Sequence, residues 1–128
     1  SDGRGGHGRQ DLFVAARRGT GFAPAEPLPG AINTAGDELD ATELLNGDLV
    51  FSRSTNLEND PVMLVFAHRG PAGYDAGTQL PATINVDAGA TYGPAIDFRD
   101  PSILYFTGSR PEAALGKRDI YRVRYRVR

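Results

Sequence analysis

The apolar positions of this chain fall in short, evenly spaced runs. Residues 12–16, 62–67 and 103–106 are the densest, and residues 62–67 are apolar at every position. A strand that is apolar on both faces must be covered on both faces. Glycine, proline, asparagine and aspartate separate the runs, the pattern of many short strands joined by turns. The strands so predicted cover residues 40–45, 48–54, 61–68, 92–98, 103–109 and 119–127, with weaker ones near 26–32 and 78–83. Residues 37–45 are the best helix candidate. A strand from about Asp40 is preferred, because the matching segment Gly93-Pro94-Ala95-Ile96 does not suit a helix interior.

The runs repeat. Asp11-Leu12-Phe13-Val14-Ala15-Ala16-Arg17-Arg18 returns 108 positions later as Asp119-Ile120-Tyr121-Arg122-Val123-Arg124-Tyr125-Arg126, and residues 62–69 form a weaker copy between them. Ile32-Asn33-Thr34 matches Ile84-Asn85-Val86 at an offset of 52. Leu49-Val50-Phe51-Ser52-Arg53-Ser54 matches Leu104-Tyr105-Phe106-Thr107-Gly108-Ser109 at an offset of 55. Units of this length with four short antiparallel strands each read as blades of a propeller. Blades stack face to face, which explains strands that are apolar on both sides. The expected fold is therefore all-β, with about two blades' worth of strands. Residues 1–36 would end one blade, 37–83 complete a second, and 84–128 form most of a third.

A closed propeller needs four or more blades. The expectation is thus a part of a longer propeller, or a homo-oligomer whose copies complete a ring. The last strand alternates Arg122, Arg124, Arg126 and Arg128 with Val123, Tyr125 and Val127. Charges on an edge strand discourage unwanted pairing.

Asp-Ile-Tyr-Arg-Val at 119–123, Leu-Tyr-Phe-Thr-Gly-Ser-Arg at 104–110 and Ile-Asn-Thr-Ala-Gly-Asp-Glu at 32–38 carry a family likeness. Through them the chain resembles the TolB-like, WD-like propeller repeats of bacterial envelope proteins. The resemblance implies a periplasmic or secreted protein, a ring of six to eight blades, and binding of protein or cell-wall glycan. It departs at the turn before the second strand, where Ser-Pro-Asp-Gly becomes Leu45-Asn46-Gly47-Asp48 or Arg99-Asp100-Pro101-Ser102. The middle copy has Val62-Met63-Leu64 in place of Asp-Ile-Tyr, and tryptophan is absent.

Composition narrows the partners. The net charge of −2 supplies no global field toward nucleic acid or an anionic membrane. No apolar run approaches the length of a membrane-spanning helix. Cysteine is absent, which removes disulfides and thiolate metal sites.

The chemistry-bearing candidates are few. Asp37, Glu38 and Asp40 form the densest acidic group, and Asp87 sits in the matching loop of the next unit. The resemblance implies that this segment leads into the innermost strand, near the axis. Its oxygens suit calcium, although the spacing is not that of an EF-hand. The alternative is a solvated loop whose aspartates accept backbone hydrogen bonds in turns. Asp11 and Asp119 open equivalent strands as turn-capping aspartates, and Asn46-Gly47 is a hairpin signal because both residues tolerate positive φ. His7 and His68 stand apart from each other and read as structural or surface residues. No Gly-x-Ser-x-Gly elbow occurs. The leading expectation is a non-catalytic binding or scaffold module. The competing one is a propeller glycoside hydrolase or polysaccharide lyase using Asp37, Asp40 or Asp97 near the axis.

Overall fold

The computed structural model describes residues 5–86, 89–110 and 116–126. No helix occurs among them, and every sheet is antiparallel and open. The first unit holds β1 (Phe13–Val14) paired with β4 (Glu26–Pro27), with a small hairpin of β2 (Arg17–Arg18) and β3 (Gly21–Phe22) between them. The central unit is a four-stranded meander. It contains β5 (Asp37–Glu43), β6 (Leu49–Ser54) and β7 (Met63–Ala67), followed by a hairpin of β8 (Arg69–Gly70) and β9 (Gly73–Tyr74). The edge strand β10 (Thr78–Gln79) completes the order β5-β6-β7-β10. The third unit is a three-stranded meander of β11 (Thr91–Ile96), β12 (Ile103–Gly108) and β13 (Asp119–Arg124).

The central sheet is buried on both faces, as its uninterrupted apolar runs require. Leu49, Phe51, Val65 and Ala67 pack with Leu12 and Ile32 of the first unit. Val50 and Leu64, pointing the other way, pack with Leu104 and Phe106 of the third. Successive side chains of a strand alternate faces, so one strand can feed two cores. The layers are also stitched by backbone. Glu38 N donates to Gln10 O, and Thr91 N donates to Val62 O, both at 2.8 Å. Gln10 and Val62 stand 52 positions apart, so the same joint recurs at the same point of the repeat.

Two details are repeated less obviously. β5 bulges between Leu39 and Thr42, and β11 bulges between Tyr92 and Ala95. At the matching bulge positions Asp40 has φ +51° and Gly93 has φ +63°. Asp40 is the sole non-glycine residue with positive φ among the described residues. The hairpin between β5 and β6 turns at Gly47, with φ +87°. Its closing bonds run from Leu44 N to Asp48 O and from Gly47 N to Leu44 O.

Strand boundaries shift where the observed pairing decides them. β5 starts at Asp37, ahead of the expected Asp40, because Asp37, Glu38 and Leu39 pair with Ser54, Arg53 and Ser52 of β6. The expected strands at 26–32 and 78–83 shrink to two residues each, because a side chain takes over their pairing role.

Candidate functional site

That side chain is asparagine. Asn33 and Asn85 are both buried. Asn33 Oδ1 accepts from Leu12 N at 2.8 Å and its Nδ2 donates to Leu12 O at 3.0 Å. Asn85 does the same to Leu64, at 2.8 and 2.9 Å, and also donates to Leu80 O at 2.9 Å. A primary amide presents one carbonyl and one N–H face much as a peptide unit does, so it continues the ladder where the backbone departs. Leu28 N and Leu80 N donate to the same Leu12 and Leu64 carbonyls at 2.9 Å. The motif behind this clamp is Leu-Pro-x-x-Ile-Asn, at 28–33 and 80–85. Only its Ile-Asn part stands out as a match along the chain; the paired leucine and proline complete the signal.

The acidic residues expected to form a site are dispersed in role. Asp37 and Glu38 belong to β5 and are buried, not part of a solvated loop. Glu38 Oε1 accepts from Arg53 Nε at 2.8 Å, and its other oxygen accepts from Thr34 N at 3.0 Å. Arg53 spends its remaining donors on Ile32 O and Ala76 O, and its guanidinium lies 4.9 Å from the Phe51 ring centre. The pair is therefore a latch that ties the first unit to the central sheet. Asp37 Oδ2 accepts from Leu57 N at 3.2 Å, and Arg9 approaches Oδ1 at 3.7 Å. Asp40 is exposed on the bulge.

Asp97 caps the turn after β11. Its oxygens accept from Arg99 N, Asp100 N and the Tyr105 hydroxyl. Asp11 accepts from His7 N and Gly8 N, and Asp119 accepts from Gly116 N. Asp87 lies outside the described residues. Among those described, no group of three or more His, Asp or Glu side chains is placed to hold a metal ion.

The concave surface lies elsewhere. A crevice of about 640 Å³ opens between the first unit and the central sheet. Leu12, Leu28, Pro29 and Leu49 form its floor, and the β8–β9 hairpin with Pro71 and Tyr74 forms a wall. Glu43 and Arg69 supply opposite charges at the rim, 3.8 Å apart. The Tyr74 hydroxyl donates to Gly47 O at 3.1 Å. Burial raises its pKa above the ordinary tyrosine range, with Arg69 opposing. A second crevice of about 530 Å³ lies between the central and third units, lined by Leu80, Pro81 and Leu104 among others. These are the repeat counterparts of Leu28, Pro29 and Leu49.

Beside Arg69 stands a pair that sequence inspection misses. Asp48 is buried; its Oδ1 accepts from Arg69 N at 2.8 Å, and His68 Nδ1 lies 2.9 Å from the same oxygen. Asn46 Nδ2 donates to the other oxygen at 2.6 Å. His68 itself is 67% exposed. His68 and Asp48 are far apart in sequence and meet only because β6 and β7 pair, with Leu49 opposite Ala67.

Comparison with protein-family models, with curated proteins and with solved structures returns no match for this chain.

Proposed function

We propose that this chain is a non-catalytic binding module built from propeller-type blades, of the TolB-like kind, serving in the bacterial envelope. The observation that carries the reading is the recurrence of one crevice at both junctions between units, floored by the same Leu-Pro and Leu positions. A recurring joint with an apolar floor suits the insertion of apolar side chains from a protein partner. The Arg69–Glu43 rim would orient the flanking polar groups. The face-to-face stacking of meander sheets, with recurring backbone joints, supports the blade architecture.

The test fills the first crevice. Ala72→Trp places bulk on its wall, and Arg69→Ala removes a rim charge. Both should abolish capture of an envelope protein that the unchanged chain retains, with the circular dichroism spectrum preserved. Capture that survives both changes would sink the crevice as the binding surface.

A second reading, a polysaccharide lyase, draws on the exposed His68 held by buried Asp48. An oriented imidazole is the kind of base that proton abstraction beside a carboxylate needs. Release of unsaturated sugar ends from acidic glycans, lost on His68→Gln, would favour it over the binding module. No release from a panel of such glycans would remove it.

A further inference from the structure

We propose that the joint between the central and third units binds a small carboxylate anion, held by Arg110 in the seat that Glu38 fills at the first joint. The two joints use the same arginine latch. At the first, Arg53 Nη2 donates to Ile32 O at 2.6 Å, and its guanidinium lies 4.9 Å from the Phe51 ring centre. At the second, Arg110 Nη2 donates to Ile84 O at 2.9 Å and to Thr83 O at 2.6 Å. Its guanidinium lies 5.9 Å from the Phe106 ring centre. Ile32 matches Ile84, and Phe51 matches Phe106. Arg110 stands 57 positions after Arg53, off the offsets of 52 and 55, so only the contacts reveal that the two arginines correspond.

The latches differ at Nε. Arg53 Nε donates to Glu38 Oε1 at 2.8 Å. In place of Glu38 the third unit has Thr91, and the joint fixes that match: Glu38 N donates to Gln10 O, and Thr91 N to Val62 O. The threonine side chain is shorter and uncharged, and its hydroxyl turns to Ile84 O at 3.4 Å. Arg110 Nε is left buried without a hydrogen-bond partner among the described residues. So is the hydroxyl of Tyr121, whose ring centre lies 5.1 Å from the Arg110 guanidinium. Glu38 lies on β5 and Thr91 on β11, so the difference is internal to the units.

A buried donor without an acceptor is costly, and more so when it carries charge. Against aromatic rings rather than water, a cation also attracts an opposite charge more strongly. The seat therefore favours an anion. Nη2 is already committed to two carbonyls, which leaves Nε–H as the open donor. One such charge-assisted bond suits a singly charged carboxylate, as Glu38 does at the first joint, whereas tetrahedral dianions draw on several donors. The ligand replaces the end of one glutamate side chain, so its size is that of formate or acetate. Neither crevice is needed for this binding.

The probe is sodium acetate, titrated into the whole chain against sodium chloride and sodium sulfate of equal ionic strength. Saturable stabilisation in urea unfolding is expected with acetate alone. At acetate about ten times its dissociation constant, the unfolding equilibrium constant should fall about elevenfold. The Arg110 Nε–H signal in nitrogen NMR should shift along the same curve. Arg110→Met should remove both responses. Thr91→Glu supplies the carboxylate from within, so that chain should be more stable than the unchanged one and indifferent to acetate. A Thr91→Glu chain less stable than the unchanged one would show that the seat has no room, and would overturn the proposal. Stabilisation by sulfate equal to that by acetate would do the same, as would an acetate response that survives Arg110→Met.

Discussion

Removing the Asn85 amide tests the clamp most directly. In Asn85→Ala, Leu64 N loses its partner at 2.8 Å while remaining in a fully buried residue. Leu64 O keeps Leu80 N at 2.9 Å, so the carbonyl stays satisfied. The orphaned N–H costs about 1–3 kcal/mol, and the two lost donor bonds about 0.5–1.5 kcal/mol each. Part of this is recovered if water enters, which places the expected loss at about 2–4 kcal/mol. Asn33→Ala removes two bonds instead of three and should cost less. Urea unfolding followed by circular dichroism measures both differences, and hydrogen exchange locates them. The Leu64 amide should become the fastest-exchanging site of β7 in the first variant, and Leu12 should respond only in the second. A loss below about 0.5 kcal/mol with Leu64 still protected would refute the view that the amide completes the ladder.

The bulge pair gives opposite signs. Asp40→Gly should raise stability by about 0.5–1 kcal/mol, because the residue holds φ +51° on an exposed bulge. Gly93→Ala should lower it by about 1 kcal/mol for its φ of +63°, since an added Cβ meets only Thr107 Oγ1 at 3.9 Å. Urea midpoints check both. Arg53→Met should cost about 3 kcal/mol by leaving buried Glu38 without its cation, and Glu38→Gln in the same chain should recover part of that loss. At the third unit, the Ser102 hydroxyl bonds Asp100 Oδ1 at 2.5 Å and, ahead of the Ser102 amide and Arg124, holds the Asp100 carboxyl below the usual aspartate range. A folded value below the unfolded one contributes stability above the unfolded pKa and loses it as pH falls through the folded pKa. Ser102→Ala should move the Asp100 titration, followed by carboxyl NMR, upward toward ordinary aspartate; an unmoved titration would reassign the cause.

Much of the strand layout was legible in the chain because burial on two faces writes itself as uninterrupted apolar residues. Residues 62–67 state that β7 is covered front and back. The β2–β3 and β8–β9 hairpins were not legible. Arg17-Arg18 and Arg69-Gly70 carry no apolar periodicity, and their pairing is secured by short turns. The acidic group at 37–40 was misleading for the same reason in reverse. Three carboxylates in four residues read as a solvated or ligand-holding loop. Pairing with Arg53 and with Leu57 N instead draws two of them inside.

What the sequence alone determined is the repeat: an all-β chain of antiparallel strands, with Asn33 matched to Asn85 and Asp11 matched to Asp119. Repetition of residues implies repetition of local contacts, and that needs no knowledge of distant partners. Only the tertiary structure decided what those residues touch. It turned Ile-Asn into a clamp on the strand twenty-one residues away. It joined His68 to Asp48 across two paired strands. The reason is that a carboxylate or amide is specified by its neighbours in space, which chain order does not record until the strands have paired.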